Sequence, residues 1–290
     1  MKLDIIASDG LVLKALYSKV KFSKAVVVII HGMSEHKERY NELIERLNDN
    51  SYTTIIADLR GHGESINDEY QLGMIGSIEQ MVDDTLKVLE YAKNDNPNMH
   101  IYMYAHSMGT LIAREFIKEH SNYLDKLILS GTVAYKTGCG FGAWLASKKA
   151  NKDKNGYSGL LFALSNGGSK KEDYSWLSYN TRNITYYTND PLCGFKFTNY
   201  SNYILFKMTS NLHKHNKEQK VNSELRIMSI SGIDDRTTSH TKGVKDSLKH
   251  LEKEGFKYLS FKEYPKMKHE IIMEDNKKEV FKDIVKFYKE

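Results

Sequence analysis

Six apolar residues in a row, Ala25-Val26-Val27-Val28-Ile29-Ile30, constrain this chain more than any other stretch. Five are β-branched, and no polar residue alternates with them. A strand that is apolar on both faces must be covered on both faces, as in a parallel sheet. Residues 53–57, 101–104 and 126–129 have the same character. Between them, residues 38–50 and 77–94 place apolar side chains at helical spacing, for example Ile78, Met81, Val82, Leu86 and Leu89. Strands alternating with helices predict βαβ units and a mostly parallel sheet flanked by helices. Ahead of this pattern, residues 3–7 and 11–17 flank Asp9-Gly10, a hairpin signal.

Residues 133–220 break the alternation. Gly, Asn, Ser, Lys and Tyr dominate there. This stretch holds 13 Lys+Arg against 5 Asp+Glu, a local charge of +8 in a chain whose net charge is +5. Strand and helix patterns resume at 225–231, 239–254, 258–264 and 277–288. The expected organisation is an α/β core in two parts, 1–132 and 221–290, with a cap inserted at 133–220. A structureless loop of that length is improbable, so the cap should be mainly helical. Its Phe141, Trp144, Leu145, Leu160, Leu161, Phe162 and Leu164 offer apolar surface. They can pack the insert on the core or touch a membrane. With its positive charge the cap could rest on anionic lipid.

Ala105-His106-Ser107-Met108-Gly109 follows the strand at 101–104 and opens a helix running to Glu119. A serine on a sharp strand-to-helix turn is strained and projects its hydroxyl off the sheet edge. The pattern is G-x-S-x-G with Ala105 in place of the first glycine. The alternative is that Ser107 merely caps the helix. As a nucleophile, serine needs a base, and the base needs an orienting carboxylate. Asp235, after the strand at 225–231, and His269, after the strand at 258–264, follow in the chain order this architecture requires. Asp234 competes with Asp235. His31-Gly32-Met33 ends the strand 25–30, which makes the backbone N–H groups of Met33 and Met108 the expected oxyanion pair.

These motifs resemble the α/β-hydrolase fold, and its monoacylglycerol lipase/lysophospholipase branch. His31-Gly32-Met33-Ser34-Glu35-His36, followed by Arg39-Tyr40, is similar to the branch's oxyanion segment. Asp58-Leu59-Arg60-Gly61-His62-Gly63-Glu64-Ser65 matches its D-x-R-G-H-G-x-S stretch. Gly232-Ile233-Asp234-Asp235 resembles the acid motif and places the acid on Asp235. His269-Glu270 resembles the histidine motif. Asp190-Pro191-Leu192-Cys193-Gly194-Phe195 is similar to a stretch of bacterial members. The resemblance implies a serine ester hydrolase acting on monoacylglycerol or lysophospholipid through an acyl-enzyme, with Ser107, Asp235 and His269 as triad. Other activities of the same fold are carboxylesterase, thioesterase and serine aminopeptidase; a non-catalytic binding protein is the contrasting class. A peptidase needs acids in the cap to hold a substrate amine, and the cap offers only Asp153, Glu172, Asp173, Asp190 and Glu218.

The rest of the sequence excludes alternatives. No G-x-x-x-x-G-K-[ST] or G-x-G-x-x-G is present, so no nucleotide cofactor is expected. No nucleic-acid module is recognisable. His213 and His215 have no Cys or carboxylate beside them in the sequence, and are expected to be solvated rather than metal-binding. His31, His62 and His106 are expected to hydrogen-bond loops around the site. Two cysteines do not make a disulfide scaffold, no apolar run approaches a membrane span, and Met1 to Ile6 lacks a signal pattern. A cytoplasmic location, reduced thiols and no metal or other cofactor are therefore expected.

Overall fold

The computed structural model describes residues 1–165, 173–215 and 220–290. The hairpin signal forms strands β1 (Lys2–Ile6) and β2 (Val12–Ser18), with Gly10 at φ 87° in the turn. Then come β3 (Ala25–Ile30), α1 (Asn41–Asp49), β4 (Tyr52–Ala57), α2 (Ile78–Asp95), β5 (His100–His106), α3 (Met108–His120) and β6 (Lys126–Ser130). Residues 38–50 are not one helix: a 3-10 turn, Lys37–Tyr40, precedes α1. The turn forms because the Asp58 carboxylate takes the Lys37 backbone N–H at 2.8 Å and its Nζ at 2.7 Å. After the insert the core closes with β7 (Arg226–Gly232), α8 (His240–Glu254), β8 (Tyr258–Tyr264) and α9 (Lys278–Lys289), numbering α4 to α7 within the insert.

The eight strands form one sheet in the order β1-β2-β4-β3-β5-β6-β7-β8. Pairings from β4 to β8 are parallel; β2 pairs antiparallel with both β1 and β4. Every residue of β3, β4 and β6 is buried, as their unalternating sequences require. β2 alternates instead, and β8, at the edge, is largely exposed. Helix α2 is closed by a capping box between Ser77 and Gln80. Two buried clusters, one per sheet face, form the core: Val26, Val28, Leu111 and Phe116 lie in one, Val27, Ile29, Ile284 and Tyr288 in the other.

Between β6 and β7 lie four helices among the described residues: α4 (Cys139–Lys152), α5 (Gly159–Ser165), α6 (Thr181–Asn189) and α7 (Asn199–Asn211). Helix α7 is not a separate layer. Its Ile204 and Met208, with Leu212, join the same buried cluster as β3 and α3. Leu161 is buried, whereas Phe141, Trp144, Leu160 and Leu164 are exposed. Of the insert's acids, Glu172 and Glu218 lie outside the described residues.

Candidate active site

The parallel strands deliver their C-terminal ends to one edge of the sheet, where open α/β folds place their ligands. Ser107 sits between β5 and α3 at φ 52°, ψ −119°, a conformation that costs a non-glycine residue strain. The flanking small residues explain why the turn closes. Ala105 is fully buried, and a Cβ on Gly109 would lie 2.6 Å from the Ile30 carbonyl oxygen. Ser107 makes no side-chain cap hydrogen bond to its own helix, so capping is not its role.

Its hydroxyl instead donates to His269 Nε2 at 2.7 Å, and His269 Nδ1–H donates to Asp235 Oδ2 at 2.9 Å. Asp235 is fully buried and also accepts the Thr237 N–H at 2.7 Å. Asp234 is exposed and accepts from Tyr179 Oη, and among the described residues it plays no part in this chain of bonds. Burial pushes the His269 imidazole down, but the Asp235 carboxylate outweighs it and leaves the group raised. Burial pushes Asp235 up, and the opposing His269 holds it below the ordinary carboxylate value. Gly131, at φ 58°, lets the chain pass His269; a Cβ there would lie 2.9 Å from the ring.

Met33 and Met108 line the same cavity as Ser107 and His269. The cavity is about 510 Å³ and is also lined by Phe162, Leu164, Trp176, Leu205 and Phe206 from the stretch between β6 and β7. Its polar wall is cationic at Lys136 and Arg236, while its carboxylates, Glu35 and Glu270, are both taken up by Arg39.

This arginine clamp was not legible as a unit. Arg39 Nη1 bonds Glu35 at 2.7 Å and Glu270 at 2.6 Å; Nη2 bonds Glu270 at 2.8 Å and Asn183 at 3.0 Å. Glu35 also accepts the Gly32 N–H and the Tyr40 hydroxyl. One guanidinium thus joins the loop carrying Met33, the loop carrying His269 and helix α6. Burial raises the Glu35 carboxyl, but Arg39 pulls it down to about 2. The Glu35, Arg39 and Glu270 positions were visible in the motifs; their mutual contact was not.

The stretch from Asp58 to Ser65 shores up the same loop. Besides Lys37, Asp58 accepts the Glu64 N–H, and His62 Nε2 accepts the Ser34 N–H at 3.2 Å. His31 Nε2 accepts the Leu59 N–H at 2.8 Å. Burial pushes His31 down to about 4 and His62 to about 3, so both are neutral acceptors. His106 departs from the expectation of loop bonding. It packs against the His269 ring at 4.8 Å, and its buried Nδ1 has no hydrogen-bond partner among the described residues. The solvated reading of His213 and His215 is also corrected. They fold against Asp246 and His250 of α8, partners that come more than thirty residues later in the sequence.

Comparison with known proteins gives a consistent picture. A family model described as serine aminopeptidase S33 (Hydrolase_4) matches residues 22–276. Monoglyceride lipase from Mus musculus is 28% identical over 191 residues, 65% of this chain and 59% of that protein. The alignment thus spans less than two thirds of that relative's length. Phospholipase YtpA from Bacillus subtilis is 35% identical over 99 residues, 34% of this chain and 36% of that protein. Among solved structures, a thermostable carboxyl esterase from Bacillus coagulans superposes with a TM-score of 0.86 at 22% identity, covering 100% of this chain and 97% of that one. A soluble variant of monoglyceride lipase from Saccharomyces cerevisiae gives 0.81 at 17% identity, covering 100% and 94%. At such identities the likeness is one of fold. With the family match spanning most of its length, the chain belongs to the Hydrolase_4 family, serine aminopeptidase S33, and has the α/β-hydrolase fold.

Proposed function

We propose that this protein is a serine ester hydrolase that cleaves monoacyl lipids, monoacylglycerol or lysophospholipid, through an acyl-enzyme. The observation that carries the reading is the bonded series Ser107–His269–Asp235 at the floor of a largely apolar cavity. Ser107 Oγ attacks the ester carbonyl while His269 Nε2 takes its proton. The oxyanion faces the N–H groups of Met33 and Met108. Collapse expels the alcohol, which receives the proton from His269. Water, deprotonated by the same imidazole, then attacks the acyl-enzyme and releases the acid and Ser107. Asp235 holds the imidazole in the required tautomer and stabilises its charged form.

The family carries a peptidase's name, but the cavity weighs against a substrate amine. Its two carboxylates are both bonded to Arg39 rather than free to receive an amine, and its remaining formal charges are the cations Lys136 and Arg236. Asp190 bonds His36 at 2.9 Å, and Asp153 caps the Gly156 N–H.

Helices α4 to α7 act in this reading as a cap over the acyl chain. Phe141 and Trp144 stack on one another at 5.6 Å on the outside of α4, close in sequence to the exposed Lys148, Lys149 and Lys152. An exposed aromatic pair beside lysines suits a peripheral membrane contact. No helix among the described residues is long and apolar enough to cross a membrane.

Initial rates on p-nitrophenyl esters from acetyl to palmitoyl, with Ser107→Ala beside the parent, test the chemistry. The expected result is activity that rises with chain length and falls by about 10⁴-fold or more in the variant. Activity confined to short chains would reassign the protein as a small-ester carboxylesterase. Serine-independent or absent activity would overturn the reading.

A further inference from the structure

We propose that His213, Asp246 and His250 form a binding site for one divalent transition-metal ion, backed by His215 and Glu254, which fastens the end of the helical insert to core helix α8. None of these residues reaches the ester-hydrolysing site. Asp246 and His250 stand four residues apart on α8, so they share one face one turn apart. His213 comes from the segment that follows α7. The three residues' ligand atoms all lie within 4.8 Å of one another. The two oxygens of Asp246 divide between the imidazoles: Oδ2 lies 2.8 Å from His213 Nε2 and Oδ1 lies 3.8 Å from His250 Nε2.

The surroundings orient His250 as a ligand. Its Nδ1 lies 2.7 Å from His215 Nε2, and His215 Nδ1 lies 3.5 Å from Glu254, which Arg114 holds at 3.2 Å. With the proton on Nδ1, His250 donates to His215 and turns its Nε2 lone pair toward Asp246. A ligating histidine whose other nitrogen is held in this way is the usual supporting arrangement at metal sites.

The rings of His213 and His250 are parallel at 3.7 Å, with Tyr135 stacked at 3.6 Å on the other side of His213. Parallel rings do not aim both in-plane lone pairs at one ion. Rotation of the half-buried His213 about its Cβ–Cγ bond supplies the convergence. Two imidazoles and one carboxylate select Zn²⁺, Co²⁺ or Ni²⁺ over Ca²⁺ or Mg²⁺, with water completing a tetrahedron.

The experiment uses the full chain with any affinity tag removed, stripped with a chelator and titrated with Co²⁺ by absorbance and Zn²⁺ by calorimetry. The proposal predicts one equivalent bound, a visible band of four-coordinate Co²⁺ that Zn²⁺ bleaches, and a higher Tm with Zn²⁺. Asp246→Asn and His250→Gln each weaken binding by about tenfold or more. His213→Gln, a change on the half-buried segment, gives the same loss if either helix variant fails to fold. His36→Gln, in the separate His36–Asp190–Cys193 cluster, leaves binding unchanged. Absence of saturable one-equivalent binding would overturn the proposal. So would binding that survives all three cluster variants or disappears in His36→Gln.

Discussion

Ser107 and Phe162 face the same cavity but are placed there by different means. Ser107 stands at the end of β5, whose backbone is paired to β3 on one side and β6 on the other. Its position is set by sheet geometry and by Gly109, where the backbone of β3 leaves no room for a side chain. Phe162 is carried by α5, a helix of 7 residues that owes its position to side-chain packing against α4 and α7. The floor is therefore specified by backbone hydrogen bonds and the roof by interchangeable apolar contacts. In the proposed function, chemistry belongs to the first and selectivity to the second.

Asp235→Asn leaves the geometry of the floor but loses the tautomer. A loss of about 10⁴-fold in kcat is expected on a p-nitrophenyl ester. The same variant tests the pH dependence. Asp235 raises His269, and only the neutral imidazole can take the serine proton. Activity of the parent therefore falls as pH drops through a value above the ordinary histidine range of about 6.5. In Asp235→Asn that acid limb moves to lower pH. A limb that does not move would separate Asp235 from the titration.

Arg39→Met strikes floor and roof together, because Arg39 bonds Glu35, Glu270 and Asn183. It strands two buried carboxylates and should cost about 3 kcal/mol or more in a urea titration. A cost near zero would mean that solvent replaces the guanidinium and that the clamp does not couple the layers. Phe162→Ala combined with Leu164→Ala should sharpen the contrast. About tenfold is lost on palmitoyl esters while acetyl esters are unaffected. Equal loss on both would show that the roof positions the chemistry as well. Phe141→Ser with Trp144→Ser removes exposed surface and should change stability by no more than about 0.5 kcal/mol. Co-sedimentation with anionic vesicles should fall in that variant; unchanged sedimentation would remove the membrane contact from the account.

The same contrast explains what could be read from the sequence. The unalternating run at 25–30 and its counterparts each became a parallel strand, because burial on both faces leaves a residue little choice. Ser107, Asp235 and His269, which the fold brings into hydrogen-bond contact, could be picked out as candidates because each follows a strand of the parallel part of the sheet. The change of composition at 133 and 220 did not reveal that Ile204 and Met208 of α7 belong to the main core. The Arg39–Glu270 contact joins residues 231 apart, and no local pattern encodes it. His213 and His215 were misread for the same reason: Asp246 and His250 reach them only through the fold.

The central claim is that Ser107 is an activated nucleophile because His269 and Asp235 are bonded to it in series. Labelling the intact protein with a fluorophosphonate tests it most directly. The account predicts one adduct per chain, mapped by peptide mass to Ser107, absent in Ser107→Ala and slowed by orders of magnitude in His269→Ala. An unlabelled parent protein, or an adduct on any other residue, would contradict it.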